Sequence, residues 1–229
     1  MCVSRSRDDV TTFYLTALAG TAPTAERLTA PVSDRFASFL NALDHRARRT
    51  ALDLGYGMGT YTVALARSGF DVVAVDQVPT QFLRSRLFGL THLTDRIEVV
   101  QQRIENFSVE RQFGVVVAKD VFHYLRQDQV RESLTRCIQR APSGAGHFLE
   151  VFTDIARTDR QGRRVLIEDE AAYTADAFRT TIERLYTGWD CHMRLTRHCE
   201  RNTDTSHNYF EANRITVSDY RTNDARVRR

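Results

Sequence analysis

The chain has 229 residues, with 32 basic and 29 acidic side chains, a net charge of +3, and 42% hydrophobic against 27% charged residues. That balance fits one globular unit with a sizeable buried core and excludes a disordered or fibrous chain. No apolar run reaches bilayer-spanning length, and so small a net charge carries no nucleic-acid footprint by itself.

The opening residues, Met1-Cys-Val-Ser-Arg-Ser-Arg-Asp-Asp, lack the apolar core of a signal peptide, which predicts a cytoplasmic protein. Residues 8–19 and 33–46 read as two helices, the second with Ser33 as N-cap and Phe36, Phe39, Leu40 and Leu43 on one face. The segment between them has loop composition. From residue 50 onward strands and helices alternate. Short strands rich in Val, Leu and Phe are predicted near 50–54, 71–76, 97–102, 114–119 and 145–152, with helical patterns near 60–68, 80–92 and 121–140. This alternation predicts an α/β fold: a doubly wound, mostly parallel sheet with helices on both faces. Residues 153–170 form a long charged connection of the kind that often carries function. After a helix near 172–187, residues 189–198 and 207–217 read as strands of an antiparallel hairpin closing the sheet. Residues 219–229 read as a loose tail. The predicted organisation is an N-terminal helical lid over 1–49, a core over 50–218 and the tail, with no repeat and no second domain.

The basic residues are almost all arginine, Lys119 being the only lysine, and they form no stripe for tracking phosphates. Cys2, Cys137, Cys191 and Cys199 contain no C-x-x-C and are expected as free thiols. Cys191-His192 and His198-Cys199 fall on one predicted strand, where eight residues span about 26 Å. Metal–ligand bonds are about 2 Å, so that strand cannot supply both ends of one site, and no metal is expected.

The most informative stretch is Ala51-Leu-Asp-Leu-Gly-Tyr-Gly-Met-Gly-Thr60. An apolar strand carrying Asp53 runs into Gly55, Gly57 and Gly59, and the next apolar strand, Val72-Val-Ala-Val-Asp76, ends in an acid. Glycines permit a turn at positive φ and close approach of a ligand to the backbone. An acid ending the following strand stands where a ribose diol can be bound. A dinucleotide site wants G-x-G-x-x-G, with the last glycine at the helix start; here the spacing is G-x-G-x-G and Thr60 occupies that place.

That spacing resembles motif I of the class I S-adenosylmethionine (SAM) dependent methyltransferases. The motifs of the resemblance span residues 50–152. It implies a Rossmann-like fold and SAM as cofactor. Gly55, Gly57 and Gly59 would wrap the methionine portion and ribose, Asp53 would orient the loop or reach the cofactor's amino group through water, Asp76 would hold the ribose hydroxyls, and Gln77 would lie beside adenine. The third strand departs from the family: Arg103 stands where an acid usually takes the adenine amino group. Gln102 or Glu105 are alternatives for that role, and Ile104 can use its amide and side chain against the ring. The fourth strand and its loop, Phe113-Gly-Val-Val-Val-Ala-Lys-Asp-Val-Phe-His-Tyr-Leu125, are most similar to the small-molecule branch, including the thiopurine and tellurite-resistance types. They lack the [DN]-P-P-[YF] loop of nucleic-acid amino methyltransferases.

On this resemblance Lys119 joins the cofactor-binding candidates, and the catalytic candidates are His123, Asp120 and Glu150, with Tyr14 as a lid residue over the sulfonium. His123 reads equally as a packed, hydrogen-bonded histidine, and Tyr14 as an apolar-face aromatic beside Phe13. The function implied is methyl transfer from SAM to a small molecule, with neither nucleic acid nor membrane as partner. Two alternatives remain at this point: a SAM-consuming cyclase that releases methylthioadenosine, as in azetidine-2-carboxylate formation, and a SAM-binding protein without turnover.

Overall fold

The computed structural model describes residues 2–20, 31–43, 48–201 and 209–221, without the side chains of 13, 14, 17–20, 200, 201 and 209. Strand β1 (Cys2–Arg5) leads into helix α1 (Arg7–Gly20), and α2 (Asp34–Ala42) precedes the alternating region. There follow β2 (Thr50–Leu54), α3 (Thr60–Arg67), β3 (Asp71–Asp76), α4 (Thr80–Leu87), the short α5 (Thr91–Thr94), β4 (Ile97–Gln101), β5 (Val115–Lys119) and α6 (Gln127–Arg140). The chain then runs through β6 (Gly146–Thr158), β7 (Arg164–Ile167), α7 (Ala175–Leu185), β8 (Trp189–Arg201) and β9 (Tyr209–Arg221).

The central sheet runs β4-β3-β2-β5-β6-β9-β8, parallel from β4 through β6. Strand β9 is inserted antiparallel between β6 and β8. This is the predicted doubly wound sheet closed by an antiparallel hairpin. The inner strands are buried on both faces, as Val72, Val73, Ala74 and Val75 of β3 are, which is why they read as continuous apolar runs and not as alternation. One core cluster lies against α6 and α7 and includes Leu52, Val116, Leu134, Phe178 and Ile182. The other lies against α2, α3 and α4 and includes Phe36, Phe39, Val63, Leu83 and Phe148. Helix α2 is therefore woven into the core. Ser33 caps it by accepting from the Phe36 amide at 3.3 Å, and the Phe36 ring meets the Phe148 ring edge-on at 5.1 Å.

Several elements differ from the expectation. Helix 80–92 breaks into α4, a single turn at Phe88–Leu90 and α5; Gly89 stands in that break and lowers helix propensity there. The expected helix from 121 starts only at Gln127, and Phe122–Tyr124 form a separate tight turn. The charged connection 153–170 is an antiparallel hairpin: β6 runs on to Thr158, and Asp159 closes the turn by accepting from the amides of Gln161 and Arg163, each at 2.9 Å. Strand β1, which periodicity does not reveal in four residues, pairs parallel with β7 from Cys2↔Arg164 to Arg5↔Ile167. The amino-terminal segment is thereby sewn to the hairpin. Strand β9 extends to Arg221, into the stretch read as a tail; residues 222–229 lie outside the described region. The four cysteines are free thiols. Among the described residues there is no cluster fit for a metal ion and no helix long and apolar enough to cross a membrane.

Candidate active site

From β2 the chain moves through β3 to β4 on one side, then returns to place β5 on the other side of β2. Ligands of doubly wound sheets sit beyond the strands' carboxyl ends at such a reversal. A cavity of about 690 Å3 opens there, within the size range of small-molecule sites. Its wall includes Asp53, Gly55, Gly57, Asp76, Gln77, Arg103, Ile104, Glu105, Lys119, Asp120, His123 and Glu150, so the topology gathers all of the sequence candidates but Gln102 and two others. The other two are Gly59, which caps the start of α3 at φ 84°, and Tyr14, whose side chain lies outside the described residues.

The glycine loop is built for close approach. Gly55 and Gly57 take φ of 76° and 49°. A Cβ on Gly55 would stand 2.6 Å from a methyl of Val121, so the loop and the segment after β5 touch through the missing side chain. The loop is pinned by Asp76: one carboxylate oxygen accepts from the Gly57 amide at 2.9 Å, the other from the Val78 amide at 3.2 Å. Burial raises the Asp76 pKa despite these bonds. Asp53, also buried, accepts from the Thr62 hydroxyl at 2.5 Å. Burial pushes its pKa up to about 7, the Thr62 bond opposing and the Asp76 charge assisting.

At the β3–β4 end, helix α1 leans over the cavity. Gln77 donates to the Thr11 hydroxyl at 3.1 Å and Arg7 pairs with Glu105 at 3.1 Å. Arg103 lies 3.8 Å from both Asp8 and Glu105. Glu105 lines the cavity at this end, whereas Gln102 donates to the Asn106 carbonyl at 3.0 Å. Ile104 is buried with its side chain in the core.

At the β5–β6–β9 end a row of charged groups crosses the strands. Lys119, paired in register with Glu150, contacts Asp120 and stands 3.9 Å from Glu150 and 5.8 Å from the centre of the Tyr61 ring. Glu150 is in register with Thr216, whose hydroxyl donates to it at 3.4 Å and accepts from Arg35 at 3.0 Å. Arg214 reaches in from β9, 3.1 Å from Asp120 and 4.5 Å above the Phe152 ring. Asp120 sits at φ 51°, with its amide donating to the Glu150 carbonyl at 2.7 Å. A non-glycine residue held in the left-handed region is uncommon and such strain gathers at functional sites.

His123 is 3% exposed, its ring between Tyr124 at 4.0 Å and Phe152 at 5.2 Å. Burial holds its pKa well below the ordinary value, reinforced by Arg157, Arg214 and Lys119, so the ring is neutral. Sequence reasoning missed Arg214, Tyr61 and Phe152 in the wall. They come from a remote strand, a helix start and a strand interior; the β6–β9 register brings Arg214 opposite Phe152 and near Asp120, and the start of α3 sets Tyr61 beside Lys119.

Residues 51–144 match the methyltransferase-domain family. No curated protein sequence matches the chain. Among solved structures the fold is similar to the 1,6-didemethyltoxoflavin N1-methyltransferase of Burkholderia thailandensis, crystallised with its substrate and S-adenosylhomocysteine (SAH): TM-score 0.58, 17% identity, covering 95% of this chain and 87% of that one. It is also similar to the N-methyltransferase NodS of Bradyrhizobium japonicum with SAH bound, TM-score 0.52, 15% identity, covering 92% and 100%. TehB of Haemophilus influenzae gives TM-score 0.57 at 14% identity, covering 85% of this chain and 64% of that chain, so this chain spans about two thirds of TehB.

Proposed function

We propose that this chain is a class I SAM-dependent methyltransferase that moves the SAM methyl group to a small organic molecule held over β5, β6 and β9. The observation that carries the reading is the single cavity wall in which an Asp76-pinned glycine loop at one end continues into the Lys119–Asp120–Glu150–Arg214 row at the other. Cofactor and acceptor then share one cavity. The small-molecule reading is supported by the cover that α1 and the start of α2 lay on the cavity through Val10, Thr11, Val32 and Ser33. It is also supported by neighbours of the same fold, one of which was crystallised with 1,6-didemethyltoxoflavin bound.

SAM supplies an activated sulfonium methyl. Gly55, Gly57 and Asp53 fit its amino-acid portion, Asp76 its ribose, and Gln77, Ile104 and Glu105 its adenine, with Arg103 and Arg7 holding Glu105 in place. The protein's chief contribution to the displacement is alignment of nucleophile, methyl carbon and sulfur, which lowers the barrier by fixing reactants that would otherwise meet by diffusion. The rings of Tyr61 and Phe152 exclude water from the transfer. Asp120 is the base for a proton leaving the acceptor, because its carboxylate lies in the wall. His123, buried and neutral, serves as a wall and packing group. The experiment is calorimetry with SAM, SAH and NAD: tight binding of the first two and none of NAD is expected, and NAD binding without SAM binding overturns the reading.

A further inference from the structure

Resting on that reading, we propose that Asp120 and Arg214 read an N–H next to a C=O, so that the acceptor is a planar heterocyclic lactam or imide methylated on nitrogen. Arg214, which no sequence motif marks, is the specificity-determining residue.

The argument starts from charge. The acceptor end presents two cations, Lys119 and Arg214, and two carboxylates, Asp120 and Glu150. A cationic amine would face Lys119, Arg214 and the cofactor's sulfonium at once. A carboxylate acceptor would face Asp120 and Glu150. A neutral molecule offering one donor and one acceptor side by side meets neither repulsion. The guanidinium and carboxylate, 3.1 Å apart, are complementary to that edge: the carboxylate accepts the N–H and the guanidinium donates to the carbonyl.

Hydrogen-bond accounting points to the same corner. Asp120 Oδ1, Arg214 Nε and His123 Nδ1 are all sheltered from water without a hydrogen-bond partner among the described residues. Buried polar atoms are nearly always paired, and leaving one unpaired is costly. Three such atoms cluster behind one cavity wall, and a polar ligand that turns the Asp120 and Arg214 side chains toward it would complete their pairing. Its shape follows from the surroundings: Phe152 lies under the guanidinium, the His123 ring meets Phe152 edge-on, and Tyr124 continues the wall. An aromatic-lined corner of this kind favours a ring.

The step balances. The lactam nitrogen bonds to the methyl carbon as the carbon–sulfur bond breaks; that electron pair stays on sulfur and converts the sulfonium to SAH. The N–H proton passes to the Asp120 carboxylate.

The test uses protein saturated with SAH and three planar lactams of increasing size, uracil, lumazine and alloxazine, beside counterparts whose N–H groups are methylated, with binding followed by calorimetry. At least one lactam should bind, and its N-methylated counterpart at least tenfold more weakly. Arg214→Gln should weaken that lactam at least tenfold while SAH affinity stays within threefold of the parent, which also reports a folded site. Arg214→Lys, keeping the charge and losing the planar fork, should fall between. The proposal is overturned if none of the three lactams binds, if the methylated counterparts bind equally well, or if Arg214→Gln leaves binding unchanged. Failure of SAH itself to bind would instead sink the methyltransferase reading, so the two failures are distinguishable.

Discussion

Replacing Asp76 separates its observed job of pinning the glycine loop from the ribose binding proposed for it. In the unliganded protein it accepts from the Gly57 and Val78 amides at 2.9 and 3.2 Å while 8% exposed. Asp76→Ala leaves two sheltered N–H groups without a partner, at about 1–3 kcal/mol each. Allowing for water entering the space, we expect a loss of about 2–4 kcal/mol in stability. For a chain of this size each kcal/mol moves Tm by roughly 2–4 °C, so the melting point should fall by roughly 4–16 °C. SAM affinity should fall further, because the ribose loses a charged acceptor worth about 1.5–3 kcal/mol, roughly 10- to 150-fold in Kd. Asp76→Asn is the separating variant. Its one carbonyl oxygen can keep one of the two amides, so about half the stability should return, while the ribose still loses its charged partner. Thermal melts without ligand and calorimetry with SAM read the two effects independently. If Asp76→Ala lowers Tm as expected but binds SAM within threefold of the parent, Asp76 only pins the loop and the ribose assignment is refuted.

Gly55→Ala places a Cβ 2.6 Å from Val121 at a φ of 76°; it should lower Tm and weaken SAM at least tenfold, and a melt and titration matching the parent would show that the loop tolerates the shift. Burial raises the Asp219 carboxyl to about 7, from an unfolded value of 3.8, so the folded state holds a proton that the unfolded chain has lost. Stability should therefore fall as pH rises from about 4 to about 7 and level off above. His147, held down to about 3 by burial, contributes the opposite slope between 3 and 6.5. Asp219→Asn removes the first slope alone and should stabilise more at pH 8 than at pH 5 in paired thermal melts; an equal effect at both would refute the assignment. Incubation with SAM alone should yield no enzyme-dependent methylthioadenosine, since displacement needs an acceptor aligned behind the methyl; its rapid appearance in mass spectra would restore the cyclase alternative.

What the sequence discloses and what it hides divide along one physical line. The cofactor end is built from contiguous chain: a strand, a glycine turn at positive φ and the acid ending the next strand. Each of those requirements selects residue types at fixed spacing, so Asp53, Gly55, Gly57 and Asp76 are legible before any fold is known. Lys119, Asp120 and Glu150 are legible one step less directly, because parallel strand ends converge wherever strands and helices alternate. The acceptor end follows no such rule. Arg214 meets Asp120 across 94 residues of sequence, through a register between β6 and β9 that opposes Phe152 to Arg214 and Glu150 to Thr216. In a sheet, slipping that register by one residue would turn both β9 side chains to the other face. The same holds for β1, four residues long, which exists because β7 supplies an edge to pair with and not because its own sequence alternates. The cofactor is thus legible through a resemblance carried by contiguous motifs, whereas the acceptor site proposed here is made of side chains that only pairing brings together. A substitution in β9 should for that reason change which molecule is methylated while leaving SAM affinity nearly untouched.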